Sequence, residues 1–124
     1  MMLIAAAFLL ALMAVFHTLV GEKFVLQPIN ANNNLPKMWD SRTFTFRTIQ
    51  ATWHLVSVLW LGLAGYLIAL ELAPMHAGDY ALIIFGVIFG GLAIVPLVWE
   101  SGKHKSWIPF GLISILLFAK YYLG

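Results

Sequence analysis

The chain has 124 residues, 62% of them hydrophobic and 10% charged, with a formal net charge of +2 and no cysteine. A soluble domain carries about a quarter charged residues, so this chain lacks the polar surface to close a water-facing shell. The missing cysteines exclude disulfides, thiolate metal sites and thiol catalysis. The seven Lys and Arg are scattered rather than clustered, which argues against nucleic acid as a partner and for a role in membrane topology.

Apolar runs must be measured against a bilayer core, which takes about 20 helical residues. The first run, residues 2–20, has no charge. It has neither a basic start nor a small-x-small cleavage pattern, so it reads as a retained helix rather than a signal peptide. Glu22 to Leu26 contains no breaker, so the helix is expected to continue over residues 2–27 and stop at Pro28. The Asn- and Pro-rich stretch 28–36 is the clearest loop composition, and Ser41 or Thr43 is placed to cap the next helix. That second helix is expected over 42–71 and a third over 80–100, with Pro96 inside it. A fourth, over 107–123, carries Pro109 in its first turn behind a Ser106 cap and Lys120 near its end. The expected fold is an all-α integral membrane protein: a single domain, 1–124, forming a four-transmembrane-helix bundle from two antiparallel hairpins.

Loop charges predict the orientation. Lys23, Lys37, Arg42 and Arg47 lie in the connection 22–48, and Lys103 and Lys105 in the connection 100–106. The connection 71–79 has neither Lys nor Arg. The positive-inside rule then puts the first and third connections in the cytoplasm and both termini outside.

Chemistry is expected where polar residues enter the spans. Thr43, Arg47, Gln50, His54 and Ser57 follow steps of four, three, four and three along the second helix, one face of it. Such a stripe is costly against lipid and should face other helices. Ala7, Ala11, Ala14, Thr18 and Gly21 on the first helix, and Gly86, Gly90 and Ala93 on the third, form small faces that permit close approach. In a hairpin built from 2–27 and 42–71, residues at equal depth have numbers summing to about 69. This sets Glu22 level with Arg47, as an ion pair or an anion site, and His17 close to the level of His54. Two readings of the histidines stand open. They are interhelical hydrogen-bonding groups, or, with Glu22, they bind a transition metal or haem. No phosphate loop, HExxH, catalytic carboxylate pair or serine triad occurs.

The residues His17-x3-Gly21-Glu22, then Arg42 and Arg47 leading into Trp53-His54, with Trp60-x-Gly62 beyond, resemble a set of small bacterial four-helix inner-membrane proteins of unassigned function. The resemblance covers the first half of the chain and implies the four-helix architecture without an activity. The expected function is a non-enzymatic accessory or assembly subunit acting through helix–helix contacts, as a homo-oligomer or in a larger membrane complex. The alternatives are a metal- or haem-binding protein using His17 and His54, and a small oligomeric transporter or channel with a polar path along the second helix.

Overall fold

The computed structural model describes every residue, Met1–Gly124. The fold is all-helical: α1 (Met2–Gly21), a π-helical turn (Glu22–Leu26), α2 (Gln27–Ala31), α3 (Arg42–Leu72), a 3-10 turn (Pro74–His76), α4 (Ala77–Trp99) and α5 (Trp107–Leu123). Three helical stretches, Met2–Ala31, Arg42–Leu72 and Pro74–Trp99, are long and apolar enough to cross a membrane. At 17 residues, α5 extends only about 25 Å, against a hydrocarbon core of about 30 Å. The chain divides into two compact units. One is Leu9–Leu61, and the other joins Met1–Phe8 to Gly62–Gly124.

The Leu9–Leu61 unit pairs most of α1 with the first two-thirds of α3. The first helix does not stop at Pro28, as its sequence suggests, but runs through it to Ala31. Proline lacks an N–H and its ring crowds the carbonyl four residues back, which in a regular helix breaks or bends the turn. Here the turn ahead of it is widened, and the Gln27 N–H bonds the Glu22 carbonyl five residues back. A π turn of this kind makes room for the ring. The connection therefore begins after Ala31 rather than after Gln27. Ser41 caps α3, its Oγ accepting the Phe44 N–H at 3.1 Å.

The second unit is held mainly by α4 on α5, through small residues on both helices. The α4 face Gly86–Gly90–Ala93 meets Phe118, Ser114 and Gly111 of α5. Ser114, buried, donates from Oγ to the Gly86 carbonyl at 2.7 Å. Glu71, the last residue of the helix expected over 42–71, lies in the last turn of α3. Its carboxylate accepts the Leu3 N–H at 3.3 Å and pairs with the Met1 ammonium, a charge suited to the positive end of α1. Pro96 sits three residues before the end of α4, and its carbonyl accepts the N–H groups of Glu100 and Gly102 that close the helix. Ser106 does not cap α5 with its side chain; its Oγ hydrogen-bonds His104 Nδ1 at 2.7 Å.

The α4–α5 contact yields a graded prediction. Ser114→Ala should lower unfolding stability by about 0.6 kcal/mol, the average worth of a hydrogen bond between apolar helices. Gly86→Val, whose added carbons run into Phe118, should cost about 1–3 kcal/mol as overpacking. Denaturant titration of both variants, followed by circular dichroism, checks the ordering.

Candidate functional site: a polar seam between the first two long helices

The polar side chains of the Leu9–Leu61 unit gather along the seam between α1 and α3. Thr18 and Glu22 are four residues apart, so they lie one above the other on α1, and both reach His54 of α3. A carboxylate can only accept, so His54 Nε2 donates to Glu22 Oε2, at 3.0 Å. His54 Nδ1 lies 3.4 Å from Thr18 Oγ1; in the neutral ring this nitrogen is the acceptor and the Thr18 hydroxyl donates.

Glu22 takes its other donors from amides. Gln50 Nε2 lies 3.0 and 3.1 Å from the two carboxylate oxygens, and Gln27 Nε2 donates to Oε1. Gln50 and His54 are three and seven residues beyond Arg47, so the pairing is about one turn further along α3 than the hairpin arithmetic predicts. The cause is the later start of the connection, which moves the hairpin's turning point. Glu22 is therefore held by an imidazole and two amides rather than set level with Arg47.

The next turn of the seam is aromatic. His17 stacks on Trp53 with ring centroids 4.6 Å apart and planes 6° from parallel, and meets the edge of Trp60 at 5.2 Å. Trp53 Nε1 donates to the His17 carbonyl at 3.2 Å, and His17 Nδ1 hydrogen-bonds the buried Ser57 Oγ at 3.0 Å. This arrangement explains Gly21. The Trp53 indole lies where a Cβ would stand, so only glycine lets the ring close onto the helix backbone.

No protein-family model matches the chain, and no curated protein or solved structure shows significant similarity to it.

Of the stripe Thr43, Arg47, Gln50, His54 and Ser57, the structure brings the last three into the seam. Thr43 and Arg47 lie exposed on α3. The two histidines do not share a partner. His54 belongs to Glu22 and Thr18, and His17 to Ser57 and the tryptophans. No group of three or more His, Cys, Asp and Glu side chains is placed to hold a metal ion, so the His17–His54–Glu22 ligand set does not assemble. Sequence reasoning missed Thr18, Gln27 and Trp53 as members. The four-residue step from Thr18 to Glu22, and the place of Trp53 beside His54 on the stripe, were the available signals.

A double-mutant cycle tests the glycine contact. Gly21→Ala alone should destabilise the folded protein by about 1–3 kcal/mol through overlap with Trp53. In a Trp53→Phe background, where the smaller ring can yield, the same change should cost clearly less. Equal costs in both backgrounds would show that the indole is not what the Gly21 position accommodates. Gln50→Leu, which takes the amide from a part-buried carboxylate, should cost about 1–3 kcal/mol, measured in the same unfolding assay.

Proposed function

We propose that the chain is a polytopic inner-membrane protein that acts as a small accessory or assembly subunit through the outer faces of its helices. The observation that carries this reading is how little of its apolar helix surface the fold covers. Within the most apolar window of each spanning candidate, only 11–17% of residues are buried. Large side chains such as Phe8, Leu12, Phe16, Val87 and Leu116 are exposed. A single chain in water cannot sustain that surface, whereas lipid and neighbouring helices can. The polar seam supports the same reading from the inside. Its donors and acceptors meet one another, which suits a register-fixing contact between helices.

In this reading α5 completes a fourth span, with Lys120 reaching the interface. The basic stretches 22–48 (the 32–41 connection with the helix ends that flank it) and 100–106 face the cytoplasm, and both termini lie outside. The resemblance of the first half of the chain to small four-helix inner-membrane proteins fits a fourth span. Blue-native electrophoresis of gently solubilised membranes is expected to show a homo-oligomer or a larger complex. A monomer at every detergent strength would sink the subunit reading.

A polar path is the second reading, and one observation favours it. Hydrogen bonds join Gln27, Glu22, His54 and Thr18 in series. Gln27 to His17 is about 15 Å of helix, or half of a bilayer core. Beyond His17 the α1 sequence is apolar to its start, so a complete path requires a second copy. Proteoliposomes that carry proton or anion flux, lost in Glu22→Gln, would favour this reading over the first.

A further inference from the structure

The connection between Ala31 and Arg42 is more tightly built than a loop that only joins two helices requires. Thr45, 4% exposed at the base of α3, donates from Oγ1 to the Pro36 carbonyl at 2.6 Å and accepts the Met38 N–H at 3.0 Å. The Ser41 N–H bonds the Met38 carbonyl at 3.0 Å, and Arg42 Nη1 donates to Asn33 Oδ1 at 3.3 Å. Between these ties the backbone turns left-handed at consecutive residues, Trp39 with φ 51° and Asp40 with φ 61°. A bulky side chain at positive φ is an outlier that persists only where its surroundings over-determine it.

The effect of that construction is to hold apolar side chains outward. Trp39 is 67% exposed and Met38 is 40% exposed, while Trp39 touches Phe44 only edge-on, with centroids 6.5 Å apart. Two exposed cations, Lys37 and Arg42, bracket the pair, against Asp40 as the one acid of the segment. An amphipathic indole held out beside cations fits the boundary between lipid headgroups and acyl chains, where tryptophan rings settle and Lys and Arg meet phosphate.

We propose that the 32–41 connection is a lipid-docking loop: Trp39 and Met38 enter the headgroup–acyl boundary of an anionic leaflet, and Lys37 and Arg42 bind its phosphates. This rests on the membrane reading above. The rigid ties matter because they order the loop before it meets the membrane, so little conformational entropy is lost on docking.

The absence of cysteine allows a clean test. A single environment-sensitive fluorophore is attached to Met38→Cys, which keeps Trp39, and in a second protein to Asn34→Cys, an exposed loop position. Each is reconstituted into phosphatidylcholine vesicles with and without phosphatidylglycerol. Flotation with the vesicles reports membrane association separately from the loop, so failure of the membrane reading is distinguished from failure of this one.

The probe at 38 should be quenched by shallow nitroxide lipids and shielded from aqueous iodide, more so with phosphatidylglycerol, while the probe at 34 stays open to iodide. Adding Trp39→Ser should return the probe at 38 to water, and Lys37→Gln with Arg42→Gln should abolish the phosphatidylglycerol effect. A probe at 38 as open to iodide as that at 34 in both vesicles would overturn the proposal. So would shielding from iodide and nitroxide alike, which would mean that protein covers the loop. Lipid quenching indifferent to phosphatidylglycerol would overturn the assignment of Lys37 and Arg42.

Discussion

A carboxylate at the seam of two packed helices gives up part of its hydration and takes donors from the fold in its place. Glu22 occupies that position, and much of the Leu9–Leu61 unit is organised around it. Gln50 and His54 on α3 supply donors from across the seam, and Gln27 supplies one from its own side. Satisfying Glu22 fixes which turn of α3 lies opposite it. That choice turns His54 Nδ1 toward Thr18, and it brings Trp53 over Gly21 and against His17 one turn along. The seam thus has one end decided by charge and hydrogen bonding, and another by the flat fit of aromatic rings on a glycine.

The second unit solves its packing differently. Gly86, Gly90 and Ala93 bring the α4 backbone close enough to α5 for Ser114 to reach a main-chain carbonyl. Dispersion contacts at short separation take the place of the charge-assisted bond. The Glu71 carboxylate at the start of α1 is a separate use of charge, placed where free N–H groups and the helix dipole accept it.

Much of this was legible in the sequence because periodicity survives folding. The three- and four-residue steps of Gln50, His54 and Ser57 put them on one face, and the seam uses that face. Thr43 and Arg47 obey the same steps yet lie exposed, because the shifted pairing brings Gln50 and His54, rather than Arg47, to Glu22. Helix faces are read from spacing alone. Depth is not, since it depends on where the chain reverses, and that was set by a proline whose effect a local rule misjudged. Pro28 normally ends a helix, but the turn before it widened instead, and the pairing moved by about one turn. The same gap between local rule and outcome appears at Ser106, well placed to cap α5 yet bonded to His104.

The π turn has a further consequence, one of phase. Five residues in a π turn cover rotation that an α-helix would cover with fewer, so such a turn amounts to one extra residue in the helix. The stretches before Glu22 and after Leu26 therefore do not share an angular origin, being offset by about 100°. A helical wheel drawn through Met2–Ala31 as one object sets Gln27 on the wrong side of the molecule. With the phase reset at Glu22, Gln27 turns back toward its carboxylate, and the first helix becomes two faces joined by a step.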